Sequence, residues 1–225
     1  CGRHMTKVGI IIFPGSNCDR DLAEGLVSTG FSVEFIWHKN IELPNNLDIL
    51  AIPGGFSFGD YLRCGAIAAK SPITDAVLRF AKGGGYLIGI CNGFQVLCET
   101  GLLPGALVGN VGLKFICRQE SLLVENSDSI FTSKYNFGEK IQIPIAHHDG
   151  NYIADTEIIA ELEGNGRVVF KYLENPNGSI NNIAGILSRN RRVLGMMPHP
   201  ERAVNKIHES NDGRSLFLSL LESFR

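Results

Sequence analysis

The sequence predicts an α/β protein: a doubly wound, mostly parallel sheet with helices on both faces, and additional mixed strands in the C-terminal half. Three observations carry this expectation. Short β-branched runs alternate with helical segments through residue 100, the order that parallel pairing across helical connections requires. Those runs are continuously apolar, as strands covered on both faces are. From about residue 107 to 195 the alternation gives way to several short strands separated by polar turns.

Taken in order, Lys7–Phe13 is a β-branched run closed by Pro14-Gly15, a strand and its turn. Asp19–Thr29 places apolar residues at 22, 23, 26 and 27, one stripe of an amphipathic helix, and Gly30 stops it. Ser32–Trp37 and Ile49–Ile52 read as the next strands. Ala66–Lys82 is mostly helical, with Pro72 near the start of its main segment and Gly83-Gly84-Gly85 ending it. Tyr86–Ile90 is a fourth buried strand and Gly93–Thr100 a helix. Phe115–Val124, Ile141–Ala146, Val168–Tyr172, Ile183–Leu187 and Leu194–Met197 read as a mixed extension of the same sheet. Arg214–Phe224 closes the chain as a helix with Leu216, Phe217, Leu220, Leu221 and Phe224 on one face. Residues 5–225 are therefore expected to form a single domain, and Cys1-Gly2-Arg3-His4, ahead of Met5, read as a cloning remnant.

Composition narrows the function. Without Arg3 the formal net charge of −2 becomes −3, which offers no basic surface for nucleic acid or anionic membrane. No apolar run approaches the ~20 residues of a membrane span, and nothing resembles a signal peptide. Cysteines 18, 64, 91, 98 and 117 are odd in number and contain no CxxC pair, which points to a reducing, cytoplasmic setting without disulfides or structural zinc.

Two segments carry chemistry. Gly89-Ile90-Cys91-Asn92-Gly93 puts a cysteine at the carboxyl end of a buried strand, between glycines that permit a sharp strand-to-helix turn. Ligands of open α/β sheets bind at such ends, and a helix N-terminus favours the reactive thiolate. The other four cysteines, 18, 64, 98 and 117, read as buried structural thiols. Met197-Pro198-His199-Pro200-Glu201 is expected to be stiff and extended, which would set His199 and Glu201 on one face. A nucleophile, a base and an orienting carboxylate result: Cys91, His199 and Glu201.

Gly89–Gln95 together with Pro198–Glu201 resembles the class I (triad) glutamine amidotransferases. Three further stretches, Phe13–Asp19, Pro53–Arg63 and Met197–Arg202, resemble within that family the glutaminase subunits of phosphoribosylformylglycinamidine synthase, the PurQ type. The likeness runs from Met5 to the C-terminus, and the 53–63 loop is its most specific part. It implies a flavodoxin-like sheet and attack of Cys91 on the side-chain amide of glutamine. The oxyanion would be held by the backbone N–H groups of Gly55 and Asn92, with Gly54, Gln95 and His148 in the substrate pocket. It further implies that the ammonia passes to a separate synthetase subunit, and that a small accessory subunit is a further partner. ATP and Mg²⁺ would belong to the synthetase, with no cofactor or metal in this chain, which has no Walker-type phosphate loop. His147-His148-Asp149-Gly150 departs from the His-Gly-Glu-Gly of the family, and one of these histidines is expected beside the site. Asp60, Tyr61 and Arg63 form either a partner-facing loop or a solvated turn.

Three other readings compete. A glutaminase serving imidazole glycerol phosphate or pyridoxal phosphate synthesis is disfavoured by the long 53–63 loop. A DJ-1-like hydrolase or chaperone leaves Glu201 without a role. A non-catalytic regulatory module is at odds with an intact triad.

Overall fold

The computed structural model describes residues 5–205 and 209–225, so the remnant expected at 1–4 lies outside the described residues. Nine strands form one sheet in the order β2-β1-β3-β4-β11-β10-β9-β6-β7. Its first half comprises β2 (Ser32–Trp37), β1 (Lys7–Ile12), β3 (Ile49–Ile52), β4 (Tyr86–Ile90) and β11 (Val193–Met196), all parallel. Beyond β11 every pairing is antiparallel, through β10 (Ile183–Leu187), β9 (Val168–Tyr172), β6 (Ile116–Val124) and β7 (Lys140–His147). The expected mixed extension is thus part of the same sheet.

The crossover from β1 to β2 moves one way along the sheet and that from β3 to β4 the other. Right-handed connections therefore set α1 (Asp19–Thr29) and α2 (Pro72–Lys82) on opposite faces. The closing helix α5 (Arg214–Glu222) packs beside α1 and buries Leu216, Phe217, Leu220 and Leu221. Phe224, just past its end, sets its ring edge-on to Tyr86 at 5.3 Å. In β4, Leu87, Ile88 and Ile90 are all fully buried, each contributing about 1.5–3 kcal/mol. Among the described residues no helix is long and apolar enough to cross a membrane.

Four local expectations are corrected. Thr156–Gly164 is a helix, α4, not a polar turn; only Ile159 and Leu162 are buried on it, too faint a stripe against Glu157, Glu161 and Glu163. Ala106–Val108 (β5) and Asn151–Ile153 (β8) pair as a separate two-stranded sheet, each too short to show a period. Residues 197–201 are not extended throughout, because Pro200–Arg202 turns into a 3₁₀ helix, proline being well suited to a helical first position. Cys117 is exposed on β6, so it is not a buried structural thiol.

The parallel half also fixes the elbow. A Cβ on Gly93 would lie 2.1 Å from the Ile52 carbonyl oxygen, so the helix following β4 can start there only with glycine. Gly93→Ala is expected to destabilise the fold by about 2 kcal/mol or more. Urea unfolding checks this, with Gly112→Ala, where a new Cβ meets nothing within 4 Å, leaving the midpoint unchanged.

Candidate active site

The carboxyl ends of β1, β3, β4 and β11 converge at the point where strand order reverses, the usual ligand crevice of such sheets. β4 and β11 run in register with Ile90 beside Met196, so the residues that follow each strand emerge together. Cys91 follows β4. Its N–H still donates to the Met196 carbonyl at 2.7 Å, while its φ of 52° lies in the left-handed region that costs a side-chain-bearing residue about 1–3 kcal/mol. Its carbonyl then accepts from Phe94 N–H at 2.9 Å, opening α3 (Asn92–Glu99). The strained turn lifts the thiol off the sheet and sets it at a helix N-terminus.

His199 and Glu201 arrive from β11. The 3₁₀ turn replaces the extended geometry, yet His199 Nδ1 and Glu201 Oε1 are 2.6 Å apart, and both side chains are buried. Burial of the imidazole pushes its pKa down, but the Glu201 carboxylate and the Cys91 thiol outweigh this and raise it to about 10. His199 is therefore cationic at neutral pH, and its Nε2 has no hydrogen-bond partner among the described residues. The ring is anchored by its own backbone N–H, which donates to the Pro144 carbonyl at 2.8 Å. Pro144 lies on β7, the far edge of the sheet, so the antiparallel half curls back to meet the site. The Cys91 thiol reaches the same strand, 3.6 Å from the Ala146 carbonyl.

Of the other residues singled out from sequence, Gly54 lies behind the dyad: a Cβ there would come within 2.7 Å of His199 Cε1 and 3.3 Å of Cys91 Cβ. Gly55 has φ 135°, and its N–H, like that of Asn92, finds no protein acceptor among the described residues. Gln95 is buried, its Oε1 accepting from Asn92 Nδ2 at 2.7 Å and its Nε2 donating to the Asp149 carbonyl at 2.7 Å. His148 is half exposed, with Nδ1 3.1 Å from Asp149 Oδ1. Gly55, Cys91, Gln95 and His148 line one cavity of about 10 Å³, room for no more than a single water.

Sequence reasoning missed several members of this wall. Asp60 approaches Asn92 Nδ2 at 3.3 Å, and burial raises its pKa, so it is not a fully solvated turn residue. The Cys64 thiol donates to Asp149 Oδ2 at 3.1 Å. Tyr61 is exposed, while Arg63 forms a bidentate pair with Glu99 at 2.7 Å through each nitrogen. Beside Gly54, Arg202 donates to Cys18 Sγ at 3.1 Å and to Asp21 at 3.0 Å. Cys18, His199 and Glu201 place potential metal donors within 4.8 Å of one another, but the guanidinium on Cys18 opposes a cation there.

The arrangement can deliver a thiol to an electrophilic carbon, a proton to its leaving group and backbone donors to the resulting oxyanion. The profile of the CobB/CobQ-like glutamine amidotransferase domain matches residues 5–216. A protein of Cereibacter sphaeroides named phosphoribosylformylglycinamidine synthase subunit PurQ is 61% identical over 215 residues, covering 96% of this chain and 97% of that one. A relative of the same name from Rhodopseudomonas palustris is 50% identical over 229 residues, covering 97% and 98%. A chain in the structure of PurLQS from Thermotoga maritima superposes with a TM-score of 0.92 at 41% identity, covering 99% of this chain and all of that one.

Proposed function

The chain belongs to the CobB/CobQ-like glutamine amidotransferase family, and from that premise we propose that it is the glutaminase subunit of phosphoribosylformylglycinamidine synthase. The observation that carries the chemistry is the buried His199–Glu201 pair, 2.6 Å apart, beside a cysteine on a strained elbow.

Cys91 Sγ attacks the side-chain amide carbon of glutamine. The N–H groups of Gly55 and Asn92 take the developing oxyanion, each such donor being worth about 3 kcal/mol of barrier. His199 gives its proton to the departing nitrogen, the C–N bond breaks, and a γ-glutamyl thioester remains. Water then attacks that thioester with His199 as base, which releases glutamate and restores the thiol. Glu201 holds the ring and balances its charge throughout.

The ammonia goes to a synthetase subunit, which uses ATP and Mg²⁺ to convert formylglycinamide ribonucleotide to formylglycinamidine ribonucleotide in purine biosynthesis. A small accessory subunit completes the assembly. Two features support dependence on a partner. The cavity is too small for glutamine until its walls move. Its surroundings are apolar and exposed: Phe56 lines it, the Phe115 ring lies tilted 6.4 Å from that of Phe56, and Tyr61, Leu62 and Leu113 stand in solvent.

Adding the purine-pathway synthetase with its nucleotides is expected to raise glutamine hydrolysis about 10- to 100-fold, the range of ordinary site-to-site coupling. A rate indifferent to that synthetase, or raised instead by the imidazole glycerol phosphate or pyridoxal phosphate partner, would contradict the assignment.

A further inference from the structure

His147 ends β7, is almost wholly buried, and lines the Cys91 cavity. One hydrogen bond holds its ring, between Nε2 and Asn177 Nδ2 at 3.0 Å. That amide cannot turn over. Asn177 Oδ1 accepts the Ser179 backbone N–H at 3.0 Å and the Ser179 hydroxyl at 2.7 Å, while Nδ2 also donates to the Gly150 carbonyl at 2.8 Å. A backbone N–H can only donate and a backbone carbonyl only accept, so the group facing the ring is the amide nitrogen. Nε2 must therefore be the acceptor, and the proton of the neutral imidazole sits on Nδ1. Burial, assisted by the nearby positive charge of His199, keeps the ring neutral by lowering its pKa to about 4. Gly150 packs against the Cδ2–Nε2 edge, and Nδ1, on the opposite edge, has no partner among the described residues. His147, which lines the cavity, thus carries a buried N–H in a fixed tautomer, with no acceptor among the described residues.

We propose that His147 Nδ1–H is a hydrogen-bond donor for the α-carboxylate of bound glutamine, and that Asn177 is the positioning residue that fixes the donating tautomer. The proposal rests on the glutaminase reading. Glutamine brings two acceptor ends into the cavity, the amide carbonyl and the α-carboxylate. The carbonyl is taken by Gly55 and Asn92. On the other walls Asp60 and Asp149 suit the α-ammonium and repel the carboxylate. Gln95 Nε2 gives one of its two N–H groups to the Asp149 carbonyl, and His148 is half exposed with Nδ1 on Asp149. His147 Nδ1 is a buried side-chain donor with no acceptor among the described residues, and hydrogen bonds to charged groups are the strong ones.

The test uses the assembled complex with the synthetase and compares glutamine with 4-aminobutanamide, which lacks only the α-carboxylate, as alternative substrate and as competitor. His147→Leu is expected to raise KM for glutamine roughly 10- to 100-fold with a smaller change in kcat. The same variant should leave kcat/KM or inhibition by 4-aminobutanamide within about two-fold of its wild-type value, because the lost contact is absent from that ligand. His147→Gln, which retains an N–H, is expected to lie between, and serves if the leucine variant fails to assemble. Asn177→Leu should show a milder loss, again selective for glutamine. Equal losses on the two ligands, or an unchanged KM for glutamine in a variant that still supports ammonia-dependent amination, would overturn the proposal. Failure of the unaltered complex to hydrolyse glutamine would instead overturn the glutaminase reading.

Discussion

Cys91→Ala is expected to lower glutamine-dependent amination by the assembled complex about 10⁴- to 10⁶-fold, the scale seen when a lone nucleophile is removed. Amination from added ammonia should persist, because that step belongs to the synthetase. The two other thiols recorded near the site are poorly suited to stand in. Cys18 lies within 4.8 Å of the His199–Glu201 pair, but burial pushes its thiol pKa up to about 12 and it carries the Arg202 guanidinium, and the Cys64 thiol is engaged with Asp149. Alanine retains the Cβ and with it the strained φ of 52°, so the elbow and the fold should be unaltered. Parallel assays with glutamine and with ammonium salt check this. Loss of both activities would contradict the division of labour between the two subunits.

The second large effect concerns Glu201. Glu201→Gln keeps the size of the side chain but removes the charge that holds His199 protonated. The drop in kcat is expected to be about 10³- to 10⁴-fold, comparable to losing the orienting acid of a triad. Stability should respond as well. In the folded protein the His199 pKa is raised from 6.5 to about 10, so the pair stabilises fully below the unfolded value and loses its effect as pH rises through the folded one. The destabilisation by Glu201→Gln, about 3 kcal/mol when a buried partner is removed, should therefore be greatest at acidic to neutral pH. Urea midpoints of the two proteins at pH ~6 and pH ~10 check the sign, with the gap expected to narrow toward alkaline pH.

Much of the fold and of the site is legible in the sequence, for reasons that differ by region. Strands β1 to β4 and helix α1 carry apolar runs and glycine stops strong enough to place each within a residue or two, whereas the run expected from Ala66 divides into a 3₁₀ turn at Ala68–Lys70 and an α-helix from Pro72. The meeting of Cys91 with His199 follows from two strand ends brought into parallel register, Ile90 beside Met196, and the residue types of the two motifs are enough to point to it. The Pro200 turn is not visible in the sequence, because prolines on both sides of a histidine favour extended chain as readily as a helical start. The return of β7 to the site is hidden for a different reason. It depends on how far four antiparallel pairings curl, and no local pattern encodes that. With β7 unplaced, the buried His147 cannot be told from the half-exposed His148, and Asp149 cannot be set against Cys64 and Gln95.

The central claim is that Cys91 is the nucleophile toward the side chain of glutamine. It is tested most directly with 6-diazo-5-oxo-norleucine, a glutamine analogue whose diazo carbon alkylates an attacking thiol with loss of dinitrogen. The complex would be incubated with the reagent, its intact mass measured and the labelled peptide mapped. One adduct per chain on Cys91, suppressed by excess glutamine and absent in His199→Ala, is the expected result. Stoichiometric labelling at Cys18, Cys64 or Cys98 with Cys91 unmodified would contradict it.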